Sequence, residues 1–248
     1  MSFRDTLYDL YLWLEKRIVP ELISSQCHYR DTLAPFVTPG CDWLDLGCGH
    51  SIFGTWMVED EEIFTARAGV VVGIDLDMPG LKAHKGLRHK VYGDLQHLPF
   101  PSGHFDVVTA NMVVEHLPAP APILTEIRRV LKPGGVFVFH TSNFGNPIMQ
   151  IAAKAPQGIK NRLALLLEGR AEEDVFKTFY QLNSPEAIRS QAAQTGFTPE
   201  QINLVSTSAL TQMIPPAVIF ELLFIRMLRS RRFEHLRTNL IGVLRKSA

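Results

Sequence analysis

Five short apolar runs, separated by segments of helical periodicity, constrain the fold of this chain more than any other feature. The runs suit strands buried on both faces, and they begin near residues 41, 69, 89, 105 and 135. The helical segments between them cover about 52–67, 78–86 and 119–132. Strands that alternate with helices form a parallel sheet with helices on both faces. Two further strands, at 202–208 and 239–244, complete the prediction of an α/β fold with a doubly wound, seven-stranded, mostly parallel sheet.

A loop of small residues follows the first strand, in the stretch Leu46-Gly47-Cys48-Gly49-His50-Ser51. The two glycines permit a ligand to approach the main chain closely. A helix is expected to begin near Ile52 and to direct its free N–H groups at an anionic part of that ligand. The glycine pattern of dehydrogenases would need glycine at position 52, so the loop predicts a nucleotide-like ligand but not a dinucleotide.

Polar residues stand at or just after several of the predicted strand ends. They are Asp75, Asp94, Asn111 and His140. In a doubly wound sheet, ligands bind at the carboxyl ends of the strands, beside the point where the strand order reverses. We therefore expect these side chains and the glycine loop to share one rim.

Composition narrows the class of protein. Lys+Arg and Asp+Glu both number 25, which gives a formal charge of zero and no field for holding nucleic acid. Three cysteines, none in a CxxC pair, argue against a disulfide framework or a structural zinc site. Charged residues interrupt the first apolar positions, so no signal peptide is expected. A small-molecule partner and a cytoplasmic location fit best.

Segments outside the alternating pattern are expected to be helical additions to one domain spanning 1–248. They are an N-terminal cap at 1–38, an insertion at 144–182, and an insertion at 209–238 between the last two strands. A helix start at Ser184-Pro185 and a stop at Gly196 are expected between the two insertions.

The third of these segments contains an apolar stretch followed by arginines. From Pro215 to Ala248 there are seven Lys/Arg and two Asp/Glu residues, and Glu221 and Arg226 make the stretch too charged and too short to span a membrane. Residues 215–237 are therefore a lid over an apolar substrate, a membrane-surface helix with peripheral membrane contact, or plain scaffold.

Four stretches, in order and at the expected spacing, resemble the class I S-adenosylmethionine-dependent methyltransferases that act on small molecules. They are Leu44–Gly49, Val72–Asp75, Gly93–Pro101 with Phe105–Val108, and Glu126–Gly135. The resemblance implies a Rossmann-like methyltransferase fold and S-adenosyl-L-methionine as the cofactor. It also implies that Ser51 replaces the usual third glycine of the loop.

The resemblance assigns cofactor-binding roles to residues on the predicted rim. Asp75 would bind the ribose hydroxyls, and Asp94 with Leu95 would bind the adenine. Leu76, which follows Asp75, is also a cofactor-binding residue. Asp45 would lie near the amino group of the cofactor. The remaining cofactor residues are Gly47, Cys48, Gly49 and His50, which face the methionyl part, and Asn111.

Candidate catalytic bases are His140, His116, Tyr180 and Tyr29. We prefer His140, because a histidine at a carboxyl strand end faces the rim and has an ordinary pKa near 6.5. The alternative is that His140 only hydrogen-bonds the loop that follows it. Glu115-His116 resembles the metal-binding pair of some ubiquinone-pathway and RNA-end methyltransferases. The third acid expected at 112 is methionine, however, so no metal is predicted.

The sequence thus predicts methyl transfer from S-adenosylmethionine to a hydrophobic small molecule, at oxygen. Two alternatives stay open. One is methylation at carbon or nitrogen of a lipid, quinone or natural-product precursor at a membrane surface. The other is a catalytically inactive protein that binds the cofactor and serves as a partner.

Overall fold

The computed structural model describes residues 3–155, 158, 177–208, 211 and 214–247. The chain divides into two compact units. The sheet unit comprises Gln26–Ser142, Phe179–Asn203 and Leu240–Ala248, and the helical unit comprises Met1–Ser25, Asn143–Thr178 and Leu204–Asn239. The predicted N-terminal cap is divided between the two units.

The sheet has seven strands in the order β3-β2-β1-β4-β5-β7-β6. The strands are β1 Asp42–Leu46, β2 Val70–Asp75, β3 His89–Tyr92, β4 Phe105–Asn111, β5 Leu131–Ser142, β6 Phe197–Val205 and β7 Asn239–Lys246. β1 pairs in parallel with β2 and β4, and the pairs β2–β3 and β4–β5 are also parallel. The strand order reverses between β1 and β4, so their carboxyl ends flank the expected ligand position. The predicted α/β fold is confirmed.

The described part of the chain has eight α-helices. They are α1 Phe3–Ile18, α2 Ser25–Leu33, α3 Val58–Arg67, α4 Met78–Ala83, α5 Pro120–Val130, α6 Pro147–Lys154, α7 Pro185–Thr195 and α8 Pro215–Leu228. Single 3₁₀ segments lie at Val114–His116 and Arg231–Leu236. The predicted ends of α7 are confirmed: the Ser184 hydroxyl oxygen accepts the Ala187 N–H at 3.2 Å, and Gly196 ends the helix with φ 75°.

Strand burial explains why the sheet forms where it does. Trp43, Leu44 and Ile74 are fully buried, and Phe137 and Phe139 stack with ring centroids 5.0 Å apart. Trp43 and Leu44 are adjacent in β1 and point to opposite faces of the sheet, so their burial means that both faces are covered. At the opposite, amino end of the strands, Lys132 Nζ lies 2.8 Å from Asp42 and 2.7 Å from Asp106, outside the predicted ligand rim.

Two element starts differ from the prediction by five residues or more. The helix expected from residue 52 begins at Val58, because Glu61 and Asn111 bind the main chain of Ile52. The strand expected at 202–208 runs from Phe197 to Val205. The left-handed backbone of Gly196 turns the chain directly from α7 into this strand, so no loop separates the two elements.

The helical unit is organised around the packing of α1 against α8. Its buried cluster contains Tyr11, Val19, Val218, Leu222 and Ile225. The Tyr11 hydroxyl donates to Glu221 at 3.0 Å. The predicted insertion 144–182 begins with α6, and its residues 159–176 lie outside the described part. No helix among the described residues is long and apolar enough to cross a membrane.

Candidate active site

Asp75 joins the glycine loop to the end of β2. Its Oδ2 accepts the Gly49 N–H at 2.7 Å, and its Oδ1 accepts the Asp77 N–H at 2.8 Å. Gly47 N–H donates to the Ile74 carbonyl at 2.8 Å, so the loop turns back directly over β2. The half-buried carboxylate therefore stands on the rim with both oxygens in hydrogen bonds to main-chain N–H groups.

The two loop glycines are required for different reasons. Gly47 has φ 61°, and a Cβ there would lie 2.5 Å from a methyl group of Val113. Gly49 has φ 46°, and a Cβ there would meet no atom within 4 Å. The main chain at Gly49 is thus open to an incoming ligand. Cys48 between them is buried, and only its main chain is placed to take part in binding.

Beyond the glycines, side chains hold the loop where a helix was expected. Ile52 is buried, its N–H donates to Glu61 Oε2 at 2.8 Å, and its carbonyl accepts Asn111 Nδ2 at 2.9 Å. Side chains from elsewhere in the chain therefore bind both the N–H and the carbonyl group of Ile52. The first turn of α3 carries Glu59, Asp60 and Glu61, so the expected helix N-terminus for an anionic group is wrong.

Glu61 is a site residue that the sequence reasoning missed. Its role depends on a contact across nine positions, which periodicity does not reveal. Gly54 was the available signal, because glycine inside a helical pattern weakens the assignment of a helix.

Asn111 connects three elements at the rim. Its side chain exchanges two hydrogen bonds with Gln26 of α2, at 3.0 and 3.2 Å. Its Oδ1 lies 2.9 Å from Nδ1 of His140, its neighbour in the β4–β5 register. With the amide oriented in this way, Nδ1 of the imidazole carries the proton and donates to Asn111.

The preferred base, His140, is enclosed. Only 1% of the residue is exposed, and its ring stacks on Tyr29 with the centroids 5.7 Å apart. Burial lowers the pKa of His140 to about 3, so the imidazole is neutral near pH 7. Tyr29 is itself fully buried, which raises the pKa of its hydroxyl well above the ordinary value. A catalytic role for either residue remains a prediction.

Asp45 lies below the rim. It is 1% exposed, and it faces Thr109 in the β1–β4 register, whose hydroxyl donates to Asp45 Oδ1 at 2.5 Å. The Thr109 hydroxyl in turn accepts the Trp43 indole N–H at 2.7 Å. Burial raises the pKa of Asp45 well above its usual range, which favours the neutral acid.

His116 and Tyr180 form the second pair of candidate bases. The N–H groups of Phe179 and Tyr180 both donate to the Glu115 carbonyl, at 2.8 and 3.2 Å, so the segment at 180 lies against the 3₁₀ turn that carries His116. Both candidates are half-buried. Tyr180 has φ 53° and Met112 has φ 57°, the two positive values recorded for non-glycine residues in the described chain. Backbone strain of this kind often accompanies functional sites.

Glu115 is buried beside the end of β5. Its Oε2 accepts the Thr141 hydroxyl at 2.7 Å, and that hydroxyl accepts Asn183 Nδ2 at 2.7 Å, so the carboxylate belongs to a buried network. Among the residues described, no group of three or more His, Cys, Asp or Glu side chains is placed to hold a metal ion.

The predicted adenine residues lie at the end of β3. Asp94 is exposed, and its Oδ1 accepts the Gln96 N–H at 3.0 Å. Leu95 is half-buried, whereas Leu76, after β2, is 57% exposed. These positions present one exposed acid and apolar surface along one side of the rim.

His50 lies on a different surface. It is exposed and lines a cleft of about 900 Å³ that extends along α3 to His89 at the start of β3. No other predicted cofactor residue lines this cleft. The structure therefore groups Asp75 and Gly49 at the ends of β1 and β2, and a role for His50 at the cofactor stays a prediction.

Comparison with known proteins agrees with this architecture. Residues 44–139 match the family described as methyltransferase domain. The chain is 30% identical over 212 residues to the ubiquinone biosynthesis O-methyltransferase of Psychrobacter arcticus, covering 81% of this chain and 74% of that protein. It is 36% identical over 118 residues to the fatty-acid O-methyltransferase of Mycolicibacterium smegmatis, covering 45% and 40%.

A solved structure shares the fold. The S-adenosylmethionine dependent methyltransferase from Mesorhizobium loti matches with a TM-score of 0.55 and 17% identity, over 90% of this chain and 98% of that chain. The fold, the order of the motifs and the similarity over 81% of this chain together define a methyltransferase. The chain belongs to the class I S-adenosylmethionine-dependent methyltransferases.

The Glu61 contact predicts a selective loss of stability. Glu61→Ala leaves the buried Ile52 N–H without its acceptor, which costs about 1–3 kcal/mol of unfolding free energy. The adjacent Glu62 is exposed, and Glu62→Ala is expected to change stability by less than about 0.5 kcal/mol. Urea unfolding measures both. Equal losses in the two variants would contradict the assigned contact.

The buried imidazole predicts a pH-dependent difference in stability. The folded-state pKa of His140 is about 3, whereas the unfolded chain takes up a proton near 6.5. The contribution of His140 to the unfolding free energy is therefore complete above the unfolded-state pKa. It declines as the pH falls toward the folded-state pKa. Between about pH 7.5 and about pH 5.5, the wild type should lose about 1.4 kcal/mol of unfolding free energy relative to His140→Gln. Parallel pH curves for the two proteins would show that His140 titrates normally.

Proposed function

We propose that S-adenosylmethionine binds across the carboxyl ends of β1, β2 and β3. The observation that carries the proposal is the 2.7 Å contact between Asp75 and the Gly49 N–H, which brings the acid and the open glycine loop together. Two ribose hydroxyls can donate to Asp75 in addition to the two main-chain N–H groups, since a carboxylate accepts several hydrogen bonds at once. Exposed Asp94 suits the adenine amino group.

The rest of the loop fits the methionyl part of this cofactor. Open space above Gly49 leaves room for a ligand against the main chain. Asp45 lies nearby in sequence as a buried acid whose pKa is raised by burial, and a cationic amino group would favour its ionisation. When bound, the cofactor supplies an electrophilic methyl group. The chain's contribution is then to hold the acceptor in line with that group and to exclude water.

Oxygen is the proposed acceptor atom, and the proposed substrate is a hydrophobic small molecule. Two similar proteins are named as O-methyltransferases, one in ubiquinone biosynthesis and one for fatty acids. A formal charge of zero also favours a small molecule over nucleic acid. The three cysteines are free thiols, which supports a reducing cytoplasmic location.

His116 is our preferred base on the basis of the structure. A phenol or alcohol must lose its proton during transfer, and the group that accepts it must reach the acceptor. His116 follows the end of β4 and is half-buried, whereas His140 is enclosed behind Tyr29. Tyr180 lies against the same turn and would contribute to positioning the acceptor.

Turnover with labelled S-adenosylmethionine tests this function. The acceptors are a prenylated phenol and a long-chain fatty acid, each assayed with wild type, His116→Asn and His89→Asn. Loss of a general base is expected to lower kcat by about 10²–10⁴-fold while cofactor affinity stays unchanged. His89 is exposed at the amino end of β3, so its variant serves as the control and should turn over normally.

The position of the label on the product decides between the chemical alternatives. A methyl group on oxygen is released by ether or ester cleavage, whereas one on carbon or nitrogen is retained. Because neither acceptor contains nitrogen, retained label would replace the proposal by C-methylation. Wild-type turnover in His116→Asn would reject His116 as the base.

A further inference from the structure

Helix α8 is apolar on both of its faces. Val218, Leu222, Ile225 and Leu228 are buried, three of them in the cluster shared with α1. The opposite face carries the outer stripe, which we define as Pro216, Ile219, Phe220, Leu223 and Met227. Phe220 is 76% exposed and Leu223 is 51% exposed. An ordinary surface helix would place polar residues on this face.

The outer stripe is a continuous ridge. Its members recur at intervals of three and four residues, so they lie above one another on the helix. From Pro216 to Met227 the ridge is about 17 Å long at the usual helical rise. A large exposed apolar patch on one element marks an interaction surface.

Positive charge borders the outer stripe. Arg226 is exposed beside Met227, and Arg231 and Arg232 are exposed just beyond the helix end. The sequence contains no Asp or Glu from 222 to 233. The nearest acid on the helix, Glu221, accepts hydrogen bonds from the Tyr11 hydroxyl at 3.0 Å and from the Thr211 N–H at 2.8 Å, so it is engaged on the inner side.

We propose that the outer stripe binds the surface of an anionic lipid bilayer. Phe220 and Leu223 would enter the boundary between head groups and acyl chains, and the three arginines would contact lipid phosphates. The helix has 14 residues and a length of about 21 Å, which is shorter than the roughly 30 Å hydrocarbon core, so it lies in the surface.

Charge also favours a lipid surface over a second copy of the chain. A two-fold interface through the outer stripe would pair the same patch on both subunits. Such an interface would give the arginines of neither copy an acidic partner on the stripe, because the sequence contains no Asp or Glu from 222 to 233. An anionic bilayer instead complements both the apolar ridge and its basic border.

This surface does not depend on methyl transfer. It belongs to the helical unit, whereas the cofactor residues belong to the sheet unit. Binding to lipid can therefore be measured without substrate or cofactor, and a failure of one proposal is distinguishable from a failure of the other.

Vesicle sedimentation of the full chain tests the proposal. Vesicles of phosphatidylglycerol and phosphatidylcholine are compared with vesicles of phosphatidylcholine alone. Phe220→Ser and Leu223→Ser should each weaken partitioning about tenfold, because each removes an inserted apolar side chain. Arg226→Gln, Arg231→Gln and Arg232→Gln should each weaken it about fivefold, and more strongly at low salt.

Ile63→Ser is the matched control. Ile63 is 56% exposed on α3 of the sheet unit, and its replacement should leave partitioning unchanged. Thermal unfolding verifies that every variant is folded. The proposal is overturned if the wild type does not sediment with anionic vesicles at low salt, or if Ile63→Ser reduces binding as much as Phe220→Ser. It is also overturned if Phe220→Ser changes only the oligomeric state of the chain.

Discussion

The hydrogen bonds that Asp75 accepts from the N–H groups of Gly49 and Asp77 are the contacts on which the candidate site depends. They connect the loop after β1 to the end of β2, beside the point where the strand order reverses. A carboxylate in this position does two things. It fixes the course of the glycine loop, and it presents negative charge at the rim where an adenosine ribose would lie.

Several motif residues act by holding main chain in place. Arg129 donates to the carbonyls of Phe100 and Leu98 at 2.7 and 2.9 Å, while Glu126 accepts the Leu98 N–H at 3.0 Å. The α5 motif therefore anchors the segment that begins with Asp94. Glu61 and Asn111 do the same for Ile52. The stretches that resemble the family thus contain residues that hold one another's main chain in place.

The sequence was sufficient to predict features that depend on neighbouring residues. It was not sufficient where contacts between distant residues determine the conformation. The capping residues Ser184 and Gly196 defined α7 correctly, because their effects extend over one turn. The helix expected from Ile52 failed because Glu61 and Asn111 bind its main chain in another conformation. Likewise, nothing local shows that Tyr29 of α2 covers His140, so the choice between the two histidine bases needed the structure.

Calorimetric titration with S-adenosylhomocysteine tests the central claim most directly. Asp75→Ala should weaken binding by about 100-fold, the effect of losing two charge-assisted hydrogen bonds. Asp42→Ala, which removes an acid paired with Lys132 at the amino end of β1, is the control and should leave Kd within about twofold. An unchanged Kd for folded Asp75→Ala would contradict the account of the cofactor site.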